Sequence, residues 1–140
     1  KDIVEDNSIK LPAGLAKFNW VDIKNVAEIA VHLLIKFKNY RNNVVDISGN
    51  ENLNFYDVVD ILNDTLGKNV TYESHSLLNF YKHKKEQYLT LSQIFILILL
   101  HFIPRFKEEP IISQSYQTIT SKNPNSLRDF LLREKEYFKN

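Results

Sequence analysis

The chain has 140 residues, of which 44% are apolar and 25% charged, and its 18 basic and 17 acidic residues give a formal net charge of +1. These values predict one soluble globular domain with a core of its own, and the balanced charge argues against nucleic acid as a partner. The absence of cysteine excludes disulfides, thiol nucleophiles and cysteine-based metal sites, and it fits the cytoplasm, the expected location.

The first residues, KDIVEDNSIK, contain no Met and no targeting pattern, and they run at once into strand-like sequence. We therefore hypothesise that residues 1–140 form a single domain that is the C-terminal part of a longer protein. Ile3–Ile9 is a short, partly polar stretch. Pro12 and Gly14 then interrupt regular structure, so residues 11–14 are expected to form a loop.

A strand-to-helix corner follows at Lys17–Lys36. Phe18 and Trp20 share one face at period two, which predicts a strand over residues 18–23. Apolar residues then recur at helical spacing, which predicts a helix over residues 24–36. Corners of this kind are frequent ligand sites in α/β proteins.

Asp22 stands at the end of that strand and has two interpretations. Its carboxylate can cap the free amides of Asn25 or Val26 at the start of the helix, or it can face a ligand. Capping is the preferred interpretation, because a carboxylate at a helix N-terminus is stabilised by the free N–H groups and the helix dipole. For Phe18 and Trp20 the preferred interpretation is likewise a place in the core, and the alternative is a place in the wall of a pocket.

The middle of the chain alternates strands and helices. Val44, Val45 and Ile47 predict a strand that stops at Ser48-Gly49. A helix follows, with Asn54 as its N-cap and Gly67 as a left-handed C-cap. Residues 70–73 predict a further strand, and this order favours α/β units over a helical bundle. The apolar face of the helix consists of Phe55, Val58, Val59, Leu62 and Leu66.

The remainder of the chain is helical in pattern. Helices are predicted over residues 76–88, over residues 89–103 before Pro104, and over residues 111–119. A last helix starts at Ser126, where Ser126 and Asp129 form a capping-box-like pair, and continues to the chain end.

Leu89–Ile103 is the most apolar segment and, at about 15 residues, it is too short to span a bilayer. The preferred interpretation is a fully buried helix beneath a substrate cleft. The alternative is a helix that packs on a partner subunit, as in a homo-oligomer, or on an absent half of the protein. That alternative predicts an exposed apolar patch.

No catalytic constellation stands out. Tyr81 and Lys85 match the Y-x-x-x-K spacing of short-chain dehydrogenases, but with seven Tyr in the chain one chance match is expected, and a solvated basic helix face is the preferred interpretation. No G-x-S-x-G elbow is present. The histidines at 32, 75, 83 and 101 lack metal-ligand spacing, so no metal site is expected.

Four segments carry a family resemblance: LPAG, FNWVDIKNVAEIAVHLL, VVDISGNENLNFYDVVDILNDTLGKNVTY and NPNSLRDFLLREKEYF. In combination they resemble the C-terminal half of NmrA-like proteins, which are atypical short-chain dehydrogenase/reductases of the NAD(P)-binding Rossmann superfamily. The matching positions are Val21, Asp22, Asn25, Val26 and Ala27 at the corner, Ser48-Gly49 at the turn and Leu66-Gly67 at the helix end.

The resemblance implies an α/β fold, here a mostly helical fragment with a few short strands that forms the C-terminal substrate-domain part of a Rossmann-type protein. The parent would bind NAD or NADP through a Gly-rich loop in an N-terminal half. With three glycines and no G-x-G-x-x-G, this fragment is expected to bind no cofactor. Catalytic residues stay unassigned, and the substrate-pocket candidates are Pro12, Phe18, Trp20, Asp22 and His101.

The implied function is the substrate-binding part of an NAD(P)-dependent oxidoreductase acting on a quinone or another small carbonyl compound. The expected partners are that small molecule and the missing Rossmann half, with neither nucleic acid nor membrane. The alternative within the family is a non-catalytic module that senses NAD(P) or binds a regulatory partner. A third reading is a self-standing helical binding domain.

Overall fold

The computed structural model describes residues 7–138, and in this range it contains four short strands and seven α-helices. The strands are β1 (Ser8–Leu11), β2 (Phe18–Asn19), β3 (Asn52–Leu53) and β4 (Thr71–Ser74). The helices are α1 (Ile23–Ile35), α2 (Phe37–Tyr40), α3 (Phe55–Leu66), α4 (Leu77–Glu86), α5 (Leu91–Phe102), α6 (Ser115–Thr120) and α7 (Leu127–Arg133). Single 3-10 turns, Ile103–Phe106 and Lys135–Phe138, follow α5 and α7. The predicted class, a mostly helical α/β fragment with a few short strands, is confirmed.

The strands form two separate pairs. β1 and β4 are parallel, with Ser8 opposite Thr71 and Leu11 opposite Ser74. β2 and β3 are antiparallel, with Phe18 opposite Leu53. A parallel pair requires a crossover connection. The corner and α3 both lie within the connection between β1 and β4.

Helix α3 lies at the centre of the core and forms as its sequence predicts. The Asn54 side chain accepts hydrogen bonds from the amides of Tyr56 and Asp57, and the Asp57 carboxylate accepts one from the Asn54 amide, which completes a capping box. At the other end Gly67 adopts φ +66, the left-handed conformation that glycine adopts without steric cost. The buried side chains of α3 are Phe55, Val58, Val59, Leu62 and Thr65.

Neighbouring elements cover α3 on several sides. It packs against α7 and β4, and the Asn63 side-chain amide exchanges two hydrogen bonds of 2.8 Å with the backbone of Val70 just before β4. The buried core cluster consists of Ala13, Phe55, Val59, Leu62, Val70, Tyr72 and Leu131.

The strand predicted from Val44, Val45 and Ile47 is wrong. Residues 44–47 are irregular and Val44 is 90% exposed. The Asp46 carbonyl bonds to a side chain and not to a strand, since it accepts a hydrogen bond from the Ser113 hydroxyl at 2.8 Å. A strand needs a second strand beside it, and β2 pairs with β3 instead of with residues 44–47.

The preferred interpretation of Leu89–Ile103, a fully buried helix, is also wrong. Helix α5 forms over Leu91–Phe102, but Ile94 is its one buried residue. Phe95, Ile96 and Leu100 are each more than half exposed. The structure therefore has the exposed apolar patch that the alternative interpretation predicted.

Several helices and strands begin or end at other residues than predicted, for local reasons. The strand predicted over residues 18–23 is limited to β2, because Asp22 already caps α1. The helix predicted over residues 111–119 begins only at Ser115. Residues 1–6, which include much of the Ile3–Ile9 stretch, lie outside the described part of the chain. Residues 8–11 form β1, and the loop expected over residues 11–14 begins after Leu11.

Candidate functional site at the strand-to-helix corner

The carboxylate of Asp22 organises the corner between β2 and α1. One oxygen, Oδ1, accepts the Lys24 amide at 2.9 Å and Nη2 of Arg133 at 3.0 Å. The other, Oδ2, accepts Nη1 of Arg133 at 2.6 Å and the side-chain amide of Asn125 at 2.8 Å. The predicted capping role is confirmed, with the Lys24 amide as the donor to the side chain.

Burial and hydrogen bonding act on Asp22 in opposite directions. The side chain is 1% exposed, and this burial acts to raise its pKa. The hydrogen bonds from Arg133, the Lys24 amide and Asn125 outweigh burial and lower the pKa of Asp22 from 3.8 to about 2. The same pairing raises the pKa of Arg133. Asp22 is therefore a charged structural anchor whose hydrogen-bonding capacity is filled, and not a proton donor or acceptor.

A second buried residue ties the start of α7 to the start of α1. The side-chain oxygen of Asn25, itself buried, accepts the Asn125 amide at 2.8 Å. The Leu127 amide donates to the Glu51 carboxylate at 3.1 Å. The segment before α7 is thus held against the corner by neutral and charged hydrogen bonds that all lie beside one cavity.

This corner cavity has a volume of about 280 Å³. Trp20 supplies an aromatic wall and Phe130 another, while the side chain of Ile23 stands at the entrance, 75% exposed. A mostly apolar hollow with a few polar groups at its base is the usual form of a small-molecule site. The lining residues are Trp20, Val21, Asp22, Ile23, Asn125, Ser126, Leu127 and Phe130.

Three of the five predicted pocket residues meet at one ring. Phe18, Trp20 and His101 lie with their ring centroids 5.4, 5.8 and 6.0 Å from that of Phe55. Trp20 also donates its indole N–H to the Leu53 carbonyl at 3.2 Å. Trp20 belongs both to this aromatic cluster and to the lining of the cavity.

The remaining candidates are packing residues. Pro12 is fully buried after β1, which leaves it no surface for a ligand. Nδ1 of His101 lies 2.8 Å from the Leu97 carbonyl of its own helix, which assigns the proton to Nδ1. Of the five predicted site residues, Trp20 and Asp22 line the corner cavity.

Neither the Y-x-x-x-K match nor the histidines form a catalytic or metal site in the described residues. Tyr81 and Lys85 are both exposed on α4. His75 contacts Glu73 at 3.3 Å and stacks edge-on against His83 at 5.8 Å. Within residues 7–138, no group of three His, Cys, Asp or Glu side chains is arranged to hold a metal ion.

A larger cleft of about 370 Å³ lies between residues 14–17 and residues 104–109. Its walls carry charged side chains, and Lys17 and Glu109 form an ion pair across it at 2.9 Å. An apolar ring would have to displace water from these ions, so the corner cavity is the better candidate for an apolar ligand.

The longer helices of the described residues do not offer an open N-terminus for the pyrophosphate of a dinucleotide. Such a site needs free amides at a helix N-terminus and glycines that let the backbone approach the phosphates. The N-termini of α1, α3, α4, α5 and α7 are instead occupied by their own capping side chains, and at α1 that cap is a carboxylate. The two helices without a side-chain cap, α2 and α6, have only four and six residues. Gly49 serves packing, since a Cβ there would collide with the Trp20 carbonyl.

Sequence reasoning missed Asn125, Leu127, Phe130 and Arg133. A weak signal existed for Arg133, because a buried carboxylate requires a cation. Nothing in the sequence says which of the 18 basic residues supplies it.

No protein-family model and no curated protein sequence matches the chain. Solved structures do match it. Over 94% of its length it matches a triphenylmethane reductase from Citrobacter sp. with a TM-score of 0.79 at 17% identity, and a nucleoside-diphosphate-sugar epimerase from Staphylococcus aureus with a TM-score of 0.78 at 18% identity. Over 97% of its length it matches an NADPH-dependent quinone oxidoreductase from Escherichia coli with a TM-score of 0.74 at 16% identity.

The chain has the fold of these proteins. It spans about half of their length, between 45% and 48%. The fold that the resemblance implies is therefore confirmed. The Citrobacter reductase has also been solved with NADP(H), and the quinone oxidoreductase with NADPH. Among the described residues, no helix has the length and apolar character needed to cross a membrane.

Proposed function

We propose that this chain forms the substrate-side part of an NAD(P)H-dependent oxidoreductase that acts on a quinone or another small carbonyl compound. The supporting observation is the corner cavity, which Trp20 and Phe130 line with aromatic surface in a fold shared with a quinone oxidoreductase. Quinones and triphenylmethane dyes are both conjugated ring compounds, and an apolar, aromatic cavity suits a flat ring.

In this proposal a Rossmann half outside the chain supplies the dinucleotide and the reacting groups. The outer face of α1 supports this division, because Ile23, Val31 and Leu34 are each more than half exposed there. An apolar stripe of this length on a helix requires cover from another element.

Fluorescence of the single tryptophan tests the proposal, because Trp20 lines the cavity. Titration of the 140-residue chain with a small para-quinone is expected to quench Trp20 emission in a saturable way. Ile23→Lys places a cation at the entrance and is expected to weaken binding at least about tenfold, or about 1.4 kcal/mol. Equilibrium dialysis of the same samples separates binding from collisional quenching.

Leu34→Lys is the matched control. Leu34 lies on the same helix with a similar exposure, 73% against 75% for Ile23, and it does not line the cavity. Binding by this variant should equal that of the parent chain. Quenching that stays linear with quinone concentration, or that is equal in both variants, would count against a quinone site at the corner.

A non-catalytic regulatory or interaction module is the second candidate, and the apolar faces of α1 and α5 favour it. The two candidates differ in what NADPH and quinone do together. When the chain is joined to a Rossmann half, an oxidoreductase consumes NADPH in the presence of the quinone. A sensor binds NADPH without consuming it, and its chain shows no saturable quinone binding.

A further inference from the structure

The outer face of α5 is an apolar surface without charge. Helix α5 contains no Asp, Glu, Lys or Arg between Leu91 and Phe102. The exposed residues follow helical spacing along one side, so they form a continuous stripe. Its members are Leu91, Phe95, Ile96, Leu99, Leu100 and Ile103, with exposures between 39% and 62%.

The stripe is large for a free surface. With roughly 200 Å² for a fully exposed large apolar side chain, these residues expose on the order of 600 Å², the upper end for the largest patch of a monomer. Burial of the same stripe on two copies would remove on the order of 1,200 Å², the lower end of the range for stable protein interfaces.

A shallow hollow of about 300 Å³, lined by Leu89, Gln93, Ile96 and Leu97, borders the stripe at Ile96. Phe95 lies on the other side of the stripe and is 60% exposed. A single apolar face of this kind can pack on the same face of a second copy about a two-fold axis, because such an interface uses the same patch on both copies.

We propose that a second copy of this chain packs on the apolar stripe of α5 to form a two-fold dimer in which Phe95 and Ile96 of each copy are buried by the other. The absence of charge removes both the repulsion that would oppose two identical faces and the attraction that would select a charged partner. The outer face of α1 differs, because Lys24 and Glu28 lie on the same helix and Lys36 follows it directly.

The test is the mass of the chain in solution over micromolar to submillimolar concentration, measured by light scattering and sedimentation equilibrium. The mass is expected to rise from 16.5 kDa toward twice that value. Phe95→Lys and Ile96→Lys are each expected to raise the dimer dissociation constant at least about tenfold. Both residues are exposed, so circular dichroism should show an unchanged fold.

Leu34→Lys serves as the control, since it places the same cation on the exposed face of α1 and should leave the dimer intact. A chain that is monomeric at every concentration overturns the proposal. So does a dimer that Leu34→Lys disrupts and Phe95→Lys does not, or an assembly that grows beyond two copies. The outcome is independent of quinone binding, so the dimer and the proposed function can fail separately.

Discussion

Helices α3 and α5 have the same length of 12 residues and opposite environments. Helix α3 carries three aspartates, yet five of its residues are buried. Helix α5 carries no charge, yet Ile94 is its one buried residue. The more apolar helix is thus the more exposed.

The difference lies in which elements of the chain pack on each helix. Helix α7 and strand β4 pack on α3 and cover it, whereas α5 packs mainly on α4 and on the 3-10 turn that follows it. Apolar composition determines how much free energy a face gains when it is covered. Apolar composition does not determine whether another element of this chain packs on that face.

The largest expected effect comes from the same substitution made in both helices. Phe55 is 7% exposed and contacts four other rings, so Phe55→Ala is expected to cost about 3–5 kcal/mol of unfolding free energy. Phe95→Ala is expected to cost less than about 0.5 kcal/mol. Urea unfolding of both variants, at concentrations low enough for a monomer, measures the two values.

A cost for Phe95→Ala as large as that for Phe55→Ala, in the dilute chain, would mean that α5 is covered within a single copy. The comparison between the two helices would then fail.

The second prediction concerns the helix that covers α3. Arg133→Ala leaves the Asp22 carboxylate buried without its cation and is expected to cost about 3 kcal/mol. The matched control is Arg128→Ala on the same helix. Arg128 pairs with Asp64 at 3.5 Å, with both side chains largely exposed, so its loss should cost less than about 0.5 kcal/mol.

Chemical unfolding measures both arginine variants. Equal effects would show that α7 is held by apolar contacts alone, and that the ion pair at the corner adds nothing to the cover of α3.

The third and smallest effect depends on pH. The pKa of Asp22 is about 2 in the folded chain against an ordinary value of 3.8. A lowered pKa gives a contribution to stability that is present above about pH 4 and is lost as pH falls toward 2. The expected loss is about 2 kcal/mol.

Asp22→Asn removes this titration. The difference in unfolding free energy between the parent chain and Asp22→Asn should therefore narrow as pH falls from 4 to 2. Glu28 and Asp129 also have lowered pKa values, through hydrogen bonds from Lys122 and Ser126, but they titrate in both chains and cancel. A constant difference would rule out the Asp22–Arg133 pair as the origin of acid sensitivity.

Local signals in the sequence predicted local structure well. Asn54 and Gly67 mark the ends of α3, and Ser126 marks the start of α7, because caps act within a single helical turn. Asp22 as a cap belongs to the same class. The family resemblance, which rests on the spacing of several such signals, correctly predicted the fold.

Predictions that depended on distant partners did less well. Residues 44–47 have strand propensity and no strand beside them. The partner of Asp22 lies 111 positions away at Arg133, and Phe130 reaches the corner cavity from the same helix. Of the site, the sequence therefore predicts Trp20 and Asp22, which share the corner, and not the wall that α7 supplies.

The parallel pairing of β1 with β4 has a consequence for how fast the chain folds. The Gly14 amide donates to the Ser74 hydroxyl across 60 positions, and the Tyr72 hydroxyl donates to the Leu11 carbonyl across 61. These contacts form only after a loop that contains the corner and α3 has closed. Closure of so long a loop is an entropic cost that precedes the gain from pairing. Although most of its regular structure is helical, the chain should refold more slowly than a helical bundle of equal length, because topology rather than helix content sets the rate.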